Sequence, residues 1–488
     1  MHQALHIFKK DVRYLRREIT LVVLIAVLLA ALHSPDYVRV IEFALVGAMA
    51  FLIGRLVLAE AIPGDRQFWI TRPYRWQSLL GAKLLFIAAF VNLPVFLAHI
   101  FILLLEGFPL LSNVPGLLWS QVLLFAFLAL PVAALAALSS GMAAFIFAQL
   151  IVAAAGYGLW EMVLVTKIVR LGDAGGAGWV RDSIAFVAIS IIALAVLLLQ
   201  YIRRRTIFSR GFALASVALG ALAYAAMPFP MAFALQTHVS KQAALGFSMR
   251  IALDGSSGWQ YWSHPVGPGI LLHLPILIQG IPEGTEVQAD ALRFTLQSPD
   301  HRVARLDPLD CSGLRRATLS ASNAMIYAEC LIDPAFYKQE RGQPLNLRAS
   351  FYFTLFGNAR TQTVPLTDQP TNALDGLQCY TNVVKAEWDV YCRAAFRWPD
   401  RLVYAKLGHT DANSFAQFVS YSPFPASLNI DPIETRWASA YASGPPPTVR
   451  DVTILVEEPL GHLERDFEAR DVRLNQFTSQ PVGTVPAR

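Results

Sequence analysis

From Thr20 to Phe233 the chain is a succession of long apolar stretches separated by short polar loops, and this pattern constrains the fold more than any motif does. A helix needs about 20 apolar residues to cross the hydrocarbon core of a bilayer. Seven stretches approach that length: 19 to 33, 38 to 59, 79 to 105, 117 to 138, 142 to 166, 183 to 202 and 211 to 235. The first offers only Ile19 to Leu32 before His33, so it spans only with Arg16 and Arg17 snorkelling or with the bilayer thinned. The fourth and fifth are parted by Ser139, Ser140 and Gly141, which leaves a re-entrant pair open there. No cleaved signal peptide is expected, because the first run follows a charged segment and lacks a small-residue cleavage site. Beyond Gln236 dispersed charge replaces the apolar runs, so the main boundary falls there. The overall composition, 55% hydrophobic and 15% charged with a mean hydropathy of +0.44, averages over these unlike halves and excludes an ordinary soluble protein.

Basic loops are retained on the cytoplasmic side. With the N-terminus inside, that side collects Lys9, Lys10, Arg13, Arg16, Arg17, Arg66, Arg72, Arg75, Arg203, Arg204, Arg205 and Arg210, against Arg39, Lys167, Arg170 and Arg181 opposite. An odd number of spans then carries everything after Gln236 outside. Leu5, Phe8, Val12 and Leu15 recur at helical spacing, with Lys9, Lys10 and Arg13 on other faces, which predicts an amphipathic helix along the inner surface.

Cysteine usage bears on the same question, because disulfides persist in oxidising compartments. Cys311, Cys330, Cys379 and Cys392 all fall in the second half. Four cysteines allow three pairings, and four free buried thiols are the alternative. Cys379 and Cys392 flank a polar turn at Lys385 to Glu387, so a hairpin would set them opposite each other. Strand-like runs occupy Gly269 to Gln279, Glu286 to Gln297, Ala324 to Ile332, Leu345 to Phe356, Trp388 to Phe396 and Val449 to Glu457. Alternating, β-branched and aromatic residues between turn signals suggest antiparallel strands in one large or two small β-sandwiches. A division into two would fall near Thr367 to Asp375.

No phosphate-cradling Gly-x-x-x-x-Gly-Lys loop, zinc helix or nucleophile elbow occurs, so an enzyme is not expected and neither a metal nor a cofactor is assigned to this chain. The glycine-rich stretch Gly172 to Gly178 reads as a loop, and His409 and His462 as surface or packed histidines. Within spans, Glu42 and Arg55 read as snorkelling near opposite ends of the second, and Glu161 as lining a path or capping a helix contact. Pro94, Pro131, Pro228 and Pro230 permit kinks.

The most informative loop runs from Glu60 through Asp65, Arg66, Phe68, Trp69, Arg72, Pro73, Tyr74, Arg75 and Trp76 to Lys83. Aromatic rings interleaved with arginines suit a headgroup region or a docking surface, and Pro73 can begin a short helix. An N-terminal interfacial helix, two spans, a Glu-x-x-Pro-Gly-Asp-Arg-x-Phe-Trp-x-Thr-Arg-Pro loop and a Leu-Gly-Ala-Lys-Leu-Leu lead into span three resemble ABC-2 type transporter permeases over residues 1 to about 205. The resemblance implies the membrane subunit of an exporter, paired with a second permease copy or paralogue and driven by a separate ABC ATPase that uses ATP and Mg. It places Glu60, Asp65, Arg66, Phe68, Trp69, Arg72, Pro73 and Trp76 in the ATPase-coupling loop. The core of that family usually has six spans, so the seventh and the β domain are additions whose role the resemblance does not carry over.

The expected architecture is therefore an α-helical polytopic membrane bundle of about seven spans followed by an extracytoplasmic all-β domain. Residues 1–18 form the interfacial segment, 19–235 the transmembrane domain, and 236–366 and 367–488 the two parts of the β domain. The expected location is a bacterial inner membrane, with the β domain periplasmic or extracellular and membrane lipids, not nucleic acid, as surroundings. The rival reading is a membrane-anchored receptor or assembly factor whose β domain binds a partner.

Overall fold

The computed structural model describes residues 2–32, 35–59, 75–165, 177–203, 206–226, 229–239, 250–253, 270–282, 284–306, 311–319, 323–365, 367–384, 387–396, 402–407, 416–417, 419–420, 431–441 and 451–477. The helical half comprises α1 (His2–Tyr14), α2 (Arg16–Ala31), α3 (Pro35–Leu58), α4 (Trp76–Leu105), α5 (Leu110–Leu138), α6 (Met142–Val165), α7 (Ala177–Arg203), α8 (Thr206–Ala226) and α9 (Phe229–Val239). Among the described residues, four helical segments are long and apolar enough to cross a membrane: Tyr37–Leu58, Trp76–Leu105, Leu110–Leu138 and Ser183–Ile202. α4 has 30 residues, which at 1.5 Å per residue is about 45 Å, the depth of a bilayer with its headgroups. α2, with 16 residues, reaches only about 24 Å, in keeping with the short first run.

The seventh stretch is described in two helical segments, and residues 227–228 between them lie outside the described residues. α8 is described as far as Ala226 and α9 from Phe229 to Val239, with Pro230 within α9. α9 turns its Phe233 to Tyr352 of the β region, with ring centroids 5.0 Å apart.

Prolines also mark the interiors of α4 and α5. A proline ring crowds out the bond to the carbonyl four residues earlier, and the helix absorbs this by widening. π-helical turns at Ala88–Asn92, just before Pro94, and at Leu124–Ala129, just before Pro131, do so here. Ser190 Oγ of α7 lies 3.1 Å from the Ala126 carbonyl of the second turn and 2.9 Å from the Phe186 carbonyl, so its one proton is shared between the two oxygens.

The second half contains β1 (Arg250–Leu253), β2 (Ile270–Gln279), β3 (Glu286–Gln297), β4 (Val303–Leu306) and β5 (Cys311–Leu319). Then follow β6 (Asn323–Ile332), the short helix α10 (Pro334–Glu340), β7 (Leu345–Pro365), β8 (Thr371–Asn372), β9 (Gln378–Val384) and β10 (Glu387–Ala395). β11 (Leu402–Leu407), β12 (Ala416–Gln417), β13 (Val419–Ser420), β14 (Ile433–Tyr441) and β15 (Asp451–Val472) complete it. Among the described residues these strands form three sheets, ordered β1-β2-β6-β5, β13-β14-β10-β9-β8 and β12-β11-β15-β7-β3-β4.

β7 and β15, with 21 and 22 residues, pair antiparallel and run through two hydrophobic cores. One core joins Leu274 and Ile276 of β2 to Phe351 and Phe353 of β7 and to Val472 and Leu474. The other joins Val364, Ile454 and Val456 to Val390 of β10 and the cysteines of the β9–β10 hairpin. The chain therefore enters the first lobe, crosses to the second, and returns along β15.

The hairpin brings Cys379 opposite Cys392, with Cα atoms 4.1 Å apart, and the two form a disulfide. β5 and β6 set Cys311 opposite Cys330, and Cys330 is disulfide-bonded. No described cysteine is free. His462, read as a packed histidine, lies between Thr354 Oγ1 at 2.9 Å and Gln236 Nε2 at 3.2 Å. His409 lies outside the described residues.

Candidate functional site

The helix predicted at the N-terminus forms, and of its expected apolar face Leu15 is buried while Phe8 and Val12 pack against the helical core. Ile7, Asp11 and Leu15 are buried, whereas Leu5 is 45% exposed. Spacing of four places the three buried residues on one face, and an acidic residue in that stripe hid it from a search for apolar positions. Ile7 packs on Leu79 and Ala82 at the start of α4 and on Tyr201 of α7. Asp11 Oδ2 accepts from Lys83 Nζ of α4 at 2.9 Å, and both side chains are nearly sealed, at 2% and 3% exposure. Phe8 meets Phe86 at 6.2 Å and stacks on Phe90, within the first π-helical turn, at 5.8 Å. α1 is thus locked to the beginning and the widened middle of α4.

The same end of the molecule gathers further charge. Arg55, near the end of α3, pairs with Glu18 at 3.4 Å and lies over the Tyr14 ring at 5.5 Å, so it is committed to α1 and α2 as well as to the surface. Arg210 of α8 donates through Nε and a terminal nitrogen to the Leu138 carbonyl at 2.9 and 2.6 Å, capping the C-terminus of α5 where a cation suits the helix dipole.

Glu60, Asp65, Arg66, Phe68, Trp69, Arg72 and Pro73 lie outside the described residues, as residues 60–74 do. In sequence they connect the end of α3 to the start of α4, the end that α1 braces. Trp76 is the first residue of α4 and is half-buried. Glu161 lies in α6, and its side chain is outside those described.

At the other end, α4 stops in a glycine-dependent reversal. Phe108 N–H bonds back to the Leu103 carbonyl and Gly107 N–H to that of Leu104, with Gly107 at a φ of 74° that favours a residue without Cβ. This exposes the Glu106 carbonyl and carboxylate to the second β lobe. Arg393 of β10 donates to Glu106 Oε2 at 2.7 Å and to Gln378 Oε1 at 3.0 Å, and Gln378 Nε2 donates to the Glu106 carbonyl at 3.0 Å. Glu42 of α3, expected to snorkel, accepts instead from the Asp431 backbone N–H at 2.6 Å. Ile433 is buried in the helical core, and Phe396, just after β10, packs against it.

Sequence reasoning missed Asp11, Lys83, Glu106, Arg393 and Phe396. Only Lys83 carried a signal, a charge four residues into an otherwise apolar run. Burial raises the Tyr380 hydroxyl above its ordinary range, and Arg393 beside it partly offsets this.

Among the described residues no group of three or more His, Cys, Asp or Glu is placed to hold a metal. No protein-family model matches the chain, and no curated protein matches its sequence.

Proposed function

We propose that the chain is the membrane-spanning permease subunit of an ABC-2 type ATP-binding cassette exporter, working with a second permease copy or paralogue and a separate ATPase. The observation that carries this reading is the bracing of α1 across the start of α4, beside the 60–74 connection. A partner that docked on that connection and moved it would move α4. Asp11–Lys83 would carry the displacement to α1, and Phe8 would carry it to the π-helical turn at Ala88–Asn92. Such a turn can change register at modest cost, which suits a helix that must alternate between two packings.

In this reading seven helical segments cross the membrane, the basic end faces the cytoplasm, and two β-sandwich lobes lie outside. ATP and Mg are used by the partner, and Glu161 lies near the route of the exported substrate. The disulfide at Cys379–Cys392 supports the outside location, since cytosolic thiols are held reduced.

The test is co-purification of the ATPase, with ATPase stimulation measured against membrane abundance. Trp69→Ala and Arg72→Ala remove aromatic and Arg anchors, whose loss costs about 2 kcal/mol, so partner affinity should fall about thirtyfold. Asp65→Lys should break coupling while the chain still reaches the membrane. Wild-type binding and stimulation in all three variants would reject the coupling loop. The rival, a membrane-anchored receptor or assembly factor, draws on the docking of the β lobe at Glu106 and Glu42; it predicts that no ATPase accompanies the protein.

A further inference from the structure

Four polar side chains follow one another between α4 and α5, from the middle of the helix pair toward the β lobe. Asn92 Nδ2 donates to the Gln121 carbonyl at 2.9 Å and lies 3.3 Å from Gln121 Oε1. Gln121 Nε2 is 3.4 Å from Ser120 Oγ, and Ser120 Oγ is 3.4 Å from His99 Nδ1, with His99 only 3% exposed. The contacts between the side chains themselves are long, at 3.3 to 3.4 Å, while Ser120 Oγ donates to the Leu117 carbonyl at 2.8 Å, and Asn92 Oδ1 is buried with no hydrogen-bond partner among the described residues. Polar groups kept within membrane helices are costly, and those that serve only to join helices satisfy one another. A seam with an unused acceptor and weak internal bonds has capacity for another partner.

The seam is stopped at its outer end by Phe396. The ring stands edge-on to His99 at 5.8 Å and lies directly on α5, where a Cβ at Gly116 would come within 2.7 Å of Phe396 Cδ2. Phe396 has a φ of 60°, a conformation that a bulky residue keeps only when its surroundings impose it. It follows directly on β10, the strand that Arg393 fastens to Glu106.

We propose that Asn92, Gln121, Ser120 and His99 form a membrane-buried site for an uncharged hydrogen-bonding group, an amide or a hydroxyl, and that Phe396 is its outer gate. None of the four carries a fixed charge, while the Glu106–Arg393 ion pair and the bond from the Asp431 N–H to Glu42 stand at the rim. When β10 lifts, the ring leaves Gly116 and the seam opens to water. The inference rests on the orientation proposed above but uses neither ATP nor a partner, so it fails or stands separately from the exporter reading.

The experiment uses the full chain in right-side-out membrane vesicles, with a membrane-impermeant maleimide reporting on Ser120→Cys. Ser120 lies about 15 Å along α5 from Leu110, too deep to label while the gate is shut. Labelling should be slow with Phe396 present and at least about tenfold faster with Phe396→Ala. Leu118→Cys, at a residue that is 57% exposed on the outside of the helix pair, should stay unlabelled in both. A Cβ at Gly116 stands 3.1 Å from Phe396 Cβ, within slight adjustment of disulfide reach, so oxidised Gly116→Cys/Phe396→Cys should hold the slow rate. In the Phe396→Ala background acetamide should slow labelling of Ser120→Cys, acetate should not, and Asn92→Leu should remove the acetamide protection. Equal rates with and without Phe396→Ala, or Leu118→Cys accelerating in step, would overturn the gate. Absence of acetamide protection, or equal protection by acetate, would overturn the site.

Discussion

α4 is held at its two ends by contacts of opposite character. At its start Lys83 and Asp11 form a sealed ion pair flanked by Ile7, Leu79 and Ala82, between helices close in sequence. At its end Glu106 meets Arg393 with side chains 24% and 15% exposed, in a bond that joins positions 287 residues apart. Breaking a sealed pair strands a charge with no water to replace its partner, whereas a half-wet pair exchanges its partner for solvent. The first behaves as a clamp and the second as a latch, so a displacement applied at the start of α4 would be expressed as release at its end.

The largest expected effect tests the clamp. Lys83→Met should cost about 3 kcal/mol by leaving the buried Asp11 with only the distant, exposed Lys10, 3.8 Å away, read as a lowered helical melting temperature in detergent. Asp11→Leu combined with Lys83→Met should recover most of it, because two matched apolar residues leave no orphaned charge. A double variant as unstable as the single one would mean that the pair is not the source of the loss.

Next comes the latch. Gly116→Ala forces a methyl group against the Phe396 ring, and overpacking of this kind costs about 1–3 kcal/mol. The lobe should lift, and amide exchange at Asp431 should accelerate, since that N–H is held by Glu42 across the same junction. Arg393→Ala should raise the same exchange rate less, by about 1 kcal/mol, since its pair is partly solvated. Unchanged exchange at Asp431 in both variants would remove the distinction between the two ends.

The smallest effect concerns the first β lobe alone. Burial, with the Glu464 carboxylate adding to it, pushes the Tyr352 hydroxyl up to about 12 from its ordinary 10.0. The folded state keeps that proton more tightly than the unfolded chain, so its stabilising contribution is complete below pH 10 and is lost as pH rises toward 12. Thermal melts across that window should fall more steeply for the native protein than for Tyr352→Phe.

These ends were unequally legible in the sequence. The apolar runs mark the helices because lipid admits few alternatives, and Cys379 and Cys392 announced their hairpin through symmetric spacing about one turn. Pro94 and Pro131 signalled kinks, and the helices widened beside them. Asp11 looked like solvent-facing charge because only its partner, 72 positions later, makes it a core residue. Glu106, Arg393 and Phe396 left no local pattern at all, since their meaning is created by a junction between distant segments. β15 exceeded its expected run because one strand serves two cores, which alternation within either core does not reveal.

The opposition of clamp and latch has consequence only if the two ends of α4 face different compartments. Gln77, at the start of α4, and Thr363, on β7, are both exposed and suit single reporter cysteines beside disulfides that do not react. In right-side-out vesicles treated with a membrane-impermeant maleimide, Thr363→Cys should label at once and Gln77→Cys only after the membrane is permeabilised. Labelling of both positions from the same side would contradict the account.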